Sequence, residues 1–300
     1  MPHSGTLWVF RNPQSRGSGA SPWHDALRRL QRNRLAMLGL LVLAGFVLAA
    51  VLAPWIAPFP FDRTNLRYGA NPPSRTHLLG TDELGRDLLT RILYGARISF
   101  AVGILATLVS LTIGVTYGSI AGSKGGRVDH LMMRVVDILY GLPFMFFVII
   151  LVVILGRNIL NLFVALGAVQ WLTMARIVRG QVLSLKGREF VLSAQAIGAS
   201  PARLLVRHVL PNALGPIVVY TTLTVPAVML EEAFLSFLGL GVQPPMASWG
   251  SLASEGAAAM ETYPWLILFP GLALTATLLA LNFLGDGLRD ALDPRITSRR

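Results

Sequence analysis

The sequence predicts an all-α membrane protein of six transmembrane helices. A polar helix–turn–helix between the fourth and fifth stays outside the bilayer. Three observations predict it. Hydrophobic residues make up 53% of 300 residues and charged ones only 14%, a membrane-protein balance. Six apolar segments approach or exceed the length that crosses a bilayer, about 20 residues. The basic residues are also uneven. With alternate loops assigned to opposite sides, 19 of the 26 Lys and Arg fall on one side and 7 on the other. That places the richer side in the cytoplasm, with both termini.

Residues 1–34 form a polar cytoplasmic N-terminal tail closing with Arg28, Arg29, Arg32 and Arg34. Leu35 to Ala57 then gives 23 uncharged residues, the first transmembrane helix over 35–57. A signal peptide is the rival reading, but its apolar region runs only about 7–15 residues. Pro54, Pro58 and Pro60 are expected to end the helix. Residues 58–97 form a polar extracytoplasmic loop. In it Thr81 is expected to N-cap a helix with Asp82 and Glu83 in its first turn. Leu84, Leu88 and Ile92 would be its apolar stripe. Asp82, Glu83 and Asp87 lack the spacing and glycine of a calcium loop.

Residues 98–285 hold the other five spans. The second covers about Phe100 to Ala121. Gly114, Gly118 and Gly122 recur every fourth residue, a face for close helix packing. The alternative is that membrane helices simply tolerate glycine. The third span is Ile138 to Gly156, with Pro143 near its start, and the fourth is Ile159 to Ala175. Gln170 and Thr173 face the bundle interior, either to line a path or to pack. The fifth span, Gly215 to Leu238, carries Glu231 and Glu232. Carboxylates at that depth are costly, so they line a path or pair with an arginine of segment 86–97. Residues 239–262 read as a Gly/Pro-rich loop. The sixth span ends near Gly285, and 286–300 form a basic cytoplasmic tail.

The polar interruption is Lys186 to Pro216. A first helix is expected from about Arg188 to Ala199, with Phe190, Ala194 and Ile197 on one face. Gly198 stands where a helix C-terminus favours a residue without Cβ. Ser200 fits an N-cap and Pro201 a first helical position, so a second helix begins at once. Arg203 and Arg207 share one face of it, and Leu210-Pro211-Asn212 is expected to end it. The segment is a protruding knob, built either to dock on a partner or merely to connect two spans.

Enzyme chemistry finds no foothold in the motifs. The only lysines, Lys124 and Lys186, follow Ser123 and Leu185, so no phosphate-binding loop of the Walker type exists. No serine lies in a nucleophile elbow, and the five histidines form no HExxH. Cysteine is absent, which removes disulfides, thiol nucleophiles and Cys-based metal sites. The net charge of +11 would suggest nucleic acid in a soluble chain. Here the charges flank membrane spans, and no nucleic acid is expected.

At Ala194, Gly198, Leu210 and Pro211 the knob resembles the E-A-A-x3-G-x9-I-x-L-P loop of ABC importer permeases. Leu192 stands at the loop's glutamate, Ser193 at its first alanine and His208 at its isoleucine, so no ion-pair role falls there. The segments HLLGTDELGRD, GGRVDHLMMRVVDILYGLPF, SFLGLGVQPPMASWG and GDGLRDALDP are similar to C-type permeases of the oligopeptide, dipeptide and nickel branch. NILNLFVALGAVQWLTMARIVRGQ is most similar to the oligopeptide branch. The resemblance runs from about Asp25 to Arg295. It implies the type I ABC importer permease fold, with a cytoplasmic coupling helix in the loop 186–214. The residues it marks for ATPase coupling are Glu189, Ala194, Gly198, Ala199, Ser200, Pro201, Leu210 and Pro211. It further implies a B-type permease partner, two ABC ATPase subunits, an extracytoplasmic solute-binding protein and the bacterial inner membrane. ATP and Mg would bind those ATPase subunits, with no cofactor on this chain. A dipeptide, nickel or other solute stays open. So does an ion-coupled secondary transporter using Glu231 or Glu232, and so does a non-transporting membrane subunit.

The charge asymmetry generates a topology test. Reporter fusions after residues 70, 130, 195, 250 and 300 are expected to read out, in, in, out and in. A fusion at 195 that reads outside would refute the orientation.

Overall fold

The computed structural model describes residues 22–292. Most of the expected N-terminal tail and the end of the C-terminal tail lie outside them. Helix α1 (Pro22–Arg32) leads to α2 (Arg34–Ile56). Then follow α3 (Leu88–Lys124), α4 (Gly126–Tyr140), α5 (Phe144–Leu155) and α6 (Ile159–Lys186). The chain continues through α7 (Glu189–Ala196), α8 (Pro201–Phe237), α9 (Trp249–Ala258) and α10 (Trp265–Leu292). Among the described residues, five helices are long and apolar enough to cross a membrane, namely α2, α3, α6, α8 and α10. The α4–α5 pair makes a sixth crossing only as a broken element, bent by 88°.

Local chemistry explains each boundary, including those the sequence reading misplaced. Asn33 Oδ1 accepts the Ala36 N–H at 3.2 Å and starts α2. Pro54 does not end α2 but sits within its last turn, and the backbone turns extended only at Ala57. Thr81 does not cap α3 either. Its hydroxyl donates to the Gly69 carbonyl at 2.8 Å and accepts the Asn71 N–H at 2.9 Å, so it is spent inside the loop. Asp87 is the true N-cap, accepting the Thr90 N–H at 2.8 Å. The expected Leu84–Leu88–Ile92 stripe is therefore broken: Leu84 sits in a turn and is exposed, while Leu88 and Ile92 enter the core.

The third crossing is shorter than expected, because Pro143 lacks an N–H and restricts Leu142 to non-helical geometry. Helix α5 has only 12 residues. The expected break at Leu210-Pro211-Asn212 does not occur. A π-helical turn over Leu204–Val209 carries the chain through. Its wider hydrogen-bond register accommodates a proline that would otherwise meet the carbonyl four residues back. The supposed loop 239–262 contains the buried helix α9, started by a capping box between Ser248 and Ser251.

The centre is the α3–α6 pair. An added Cβ at Gly114 would meet Met174 Cβ at 2.5 Å and one at Gly122 would meet Val182 Cβ at 2.8 Å. At Gly118 it would strike the Ala175 carbonyl oxygen. Gly167 of α6 returns the contact against Val109 Cβ at 2.6 Å. Three apolar clusters surround this seam. One joins α2, α3, α9 and α10 around the fully buried Trp249. Another joins α3, α5, α6 and α8, and a third roots the knob between α6, α7 and α8. Trp249 donates through Nε1 to the Ile92 carbonyl at 3.0 Å and meets Phe46 and Phe100 edge-on.

Gly118→Leu is expected to destabilise the protein by about 1–3 kcal/mol or prevent its assembly, because the seam cannot overpack. Gly45→Ala is expected to be neutral, since nothing lies within 4 Å of the added Cβ. Thermal unfolding of the detergent-purified protein checks both.

Candidate functional site

The knob protrudes between α6 and α8. In α7, Val191 turns inward and joins the cluster of Val182, Val209 and Ala213, and Ala194 is buried as well. Phe190 and Ile197 face outward, so the expected shared face of Phe190, Ala194 and Ile197 is not formed. Ile197 is 88% exposed at the tip, with Val206, Leu192 and Phe190 exposed nearby in sequence. Glu189, Ser200, Pro201 and Pro211 are exposed, while Ala199 and Leu210 are partly covered. Gly198 has φ +88, and its N–H donates to the Gln195 carbonyl at 3.0 Å. Nothing lies within 4 Å of a Cβ built there. The glycine is required by the left-handed backbone and not by crowding. Ser200 Oγ accepts the Arg203 N–H at 3.4 Å, and Pro201 occupies the first helical turn.

Within the membrane a cavity of about 530 Å³ opens between α4, α5, α6 and α8. Gln170, Thr173 and Glu231 all line it. Gln170 Nε2 donates to Glu231 Oε1 at 2.6 Å, and the second Glu231 oxygen is buried without a hydrogen-bond partner among the described residues. Glu232 is elsewhere. It is 1% exposed and accepts the hydroxyls of Ser236 at 2.8 Å and Ser248 at 2.7 Å, tying α8 to the start of α9. Neither glutamate meets an arginine of segment 86–97, contrary to that expectation. Arg86 and Arg91 hold Asp82 at 2.7 and 2.8 Å, Arg91 also holds Glu255 at 2.7 Å, and Arg97 lies over Tyr94. This ion-pair network, buried at Asp82, Arg86 and Arg91 and half-exposed at Glu255, clamps the outer loop to α3 and α9.

Sequence reading missed the residues that fasten α4 along α6. Asp129 is bound by Arg179 through two contacts at 2.5 and 2.7 Å, Asp137 by Arg176 at 2.7 Å, and the hydroxyls of Tyr140 and Thr173 lie 3.2 Å apart. Arg176 also stacks over Tyr140, 4.1 Å from the ring centroid. The signal was present as acids at 129 and 137 and arginines at 176 and 179, but antiparallel pairing of two helices is not visible in one chain's local pattern.

The chain thus combines a seam of long apolar helices, one protruding knob and a polar-lined cavity, and comparison with known proteins gives the family. The profile described as "Binding-protein-dependent transport system inner membrane component" matches residues 114–298. The profile described as "N-terminal TM domain of oligopeptide transport permease C" matches residues 21–73. The chain belongs to the family of binding-protein-dependent transport system inner membrane components, the permease subunits of ABC importers. Within it, the chain is of the C type. It is 51% identical over 279 residues to an oligopeptide transport system permease protein of Haemophilus influenzae, covering 92% of this chain and 90% of that one. It is 52% identical to the Escherichia coli K12 counterpart, covering 92% of each. A dipeptide transport system permease protein of Bacillus subtilis is 49% identical, covering 91% of this chain and 85% of the relative. In fold, the chain matches a solved chain of the MetNI methionine ABC transporter with a TM-score of 0.54 at 18% identity, covering 69% of this chain and 98% of that one.

The two glutamates should separate by experiment. Glu232→Ala strands two buried serine hydroxyls and is expected to cost about 2 kcal/mol or more of stability. Glu231→Ala, at a cavity wall, is expected to cost less. Melting of the purified protein checks the order, and equal losses would refute the division of roles.

Proposed function

We propose that this chain is the C-type half of the translocation pathway of an ATP-driven oligopeptide importer. The observation that carries the reading is the knob: an exposed apolar tip at Ile197 continuous with the two helices, α6 and α8, that frame the membrane cavity. Phe190, Leu192, Ile197 and Val206 are all exposed on the knob, and an apolar surface of several residues suits a partner's cover better than water. A short helix with apolar anchors suits a groove on an ATPase subunit. The ~50% identical relatives named for oligopeptide transport support the solute class. In this reading Glu189, Gly198, Ala199, Ser200 and Pro201 lie at the ATPase contact, while Ala194, Leu210 and the knob's root hold its shape. Gln170, Thr173 and Glu231 line the path.

The partners are a B-type permease, two ABC ATPases that bind ATP and Mg, and an extracytoplasmic solute-binding protein. This chain binds no cofactor and catalyses no hydrolysis. It sits in the bacterial inner membrane with both termini and the knob in the cytoplasm. ATP drives the cycle only if the knob contacts the two ATPase states differently. An ion-coupled mechanism has no use for the knob.

The test is ATP-dependent peptide uptake by the full complex in proteoliposomes. Gly198→Leu strains the positive-φ turn by roughly 1–2 kcal/mol and is expected to abolish uptake and weaken ATPase co-purification while membrane insertion stays intact. The native chain lacks Cys, so single cysteines at Ile197 and Ser200 are expected to cross-link to an ATPase subunit. A cysteine at the buried Trp249 is not. Active complexes without either knob cross-link would refute the docking assignment.

A further inference from the structure

The cavity at the α4–α5 break carries more information than its position. Its walls divide by chemistry. Gln170, Thr173, Tyr140 and Glu231 present polar groups, while Phe144 and Phe147 present rings. Gln170 Nε2 holds one oxygen of Glu231 at 2.6 Å and thereby fixes the carboxylate. The other oxygen is buried with no donor among the described residues. An unpartnered carboxylate oxygen at membrane depth is costly, so the arrangement is complete only when a donor arrives. The basic groups nearby are committed elsewhere: Arg176 lies over the Tyr140 ring and binds Asp137, and Arg179 binds Asp129.

We propose that Glu231 is a subsite for a primary ammonium group of the transported solute, a reading that rests on the importer function above. The ammonium has three N–H donors and no acceptor. One meets the Glu231 carboxylate, which lines the cavity, in a charge-assisted hydrogen bond. The Thr173 and Tyr140 hydroxyls, which line the same cavity, can accept from the others. The cavity volume of about 530 Å³ falls in the range of small-ligand pockets, about 300–1,000 Å³. It receives one end of a peptide and not a long chain. Phe144 and Phe147 then cover an apolar side chain beside the charge. Such a subsite reads what all peptides with free amino termini share, with a preference for an apolar side chain beside it.

The experiment uses the complete complex in proteoliposomes, with the binding protein saturated by each peptide. The peptides are trialanine, Nα-acetyl-trialanine, and the acetylated peptide with lysine as its second residue. E231Q is expected to slow trialanine uptake by about tenfold, the scale of one charge-assisted hydrogen bond. Complex abundance and binding-protein affinity stay unchanged, and E231D retains most of the rate. Acetylated trialanine should change by less than about twofold, having no ammonium to lose. If E231Q also slows the lysine peptide, the subsite accepts any primary ammonium. If it does not, the subsite takes the α-ammonium. E231Q carrying trialanine at the wild-type rate would overturn the proposal. Equal slowing of trialanine and its acetylated form would do the same, since that marks a general packing role. A wild-type complex without ATP-driven uptake of any peptide would refute the importer reading itself, and the subsite would fall with it.

Discussion

Everything in this fold hangs on the closeness of α3 to α6. Gly114, Gly118 and Gly122 leave no room for side chains, so backbone rests against Met174, Ala175 and Val182. In lipid there is little hydrophobic drive between helices, and such contact relies on dispersion at short range. The seam makes α6 a fixed rail. From that rail Gln170 reaches Glu231 of α8, Thr173 and Arg176 reach α4, and Lys186 leads into the knob. If the seam opened, the cavity and the knob would lose their common support together.

The same rail gives the knob mechanical reach. Gln170 lies 16 residues before the end of α6, about 24 Å along a helix rising 1.5 Å per residue. Helix α8 leaves the knob at Pro201 and reaches Glu231 without an interruption that frees its backbone; the π turn at Leu204–Val209 and the prolines at 216 and 226 bend or adjust it. A displacement imposed on the knob therefore arrives at both partners of the Gln170–Glu231 hydrogen bond. Helix α4 is different. It is fastened to α6 by polar contacts at Asp129, Asp137 and Tyr140 and to α3 by the Tyr117 hydroxyl on the Met132 carbonyl, and it is severed from α5 by the break at Gly141–Pro143. Polar side-chain contacts exchange partners more readily than interlocked backbones, so the cavity has one rigid wall and one adjustable wall.

The spans and the knob were legible in the sequence because their signals are local. Apolar length marks the spans, and the Gly198-Ala199-Ser200-Pro201 run encodes a left-handed stop followed by an N-cap and a first helical proline. The errors came where tertiary context chose between local options. Thr81 and Asp87 both could cap α3, and the choice fell to Asp87 because Gly69 and Asn71 had claimed the threonine hydroxyl. The loop after α8 hid a buried helix, because glycine, serine and alanine in α9 look like linker composition until Trp249 is seen filling the space beside α3. Of the cavity, Gln170, Thr173 and Glu231 could be suspected as polar residues at membrane depth. Tyr140 could not, since its place depends on the bend that follows it.

Glu231 and Glu232 show how much a single helical step decides. The two are chemically identical and adjacent, but consecutive residues on a helix point about 100° apart. One step turns Glu232 toward α9, where the Ser236 and Ser248 hydroxyls both donate to its Oε1 from inside the protein. The other leaves Glu231 toward the α4–α5 break, where Gln170 satisfies one oxygen and the second has no protein donor among the described residues. Sequence alone assigns both the same cost and the same two roles. The fold separates them by what faces each: two serine hydroxyls hold Glu232 from within the protein, whereas Glu231 stands on a cavity wall with one oxygen unpartnered among the described residues.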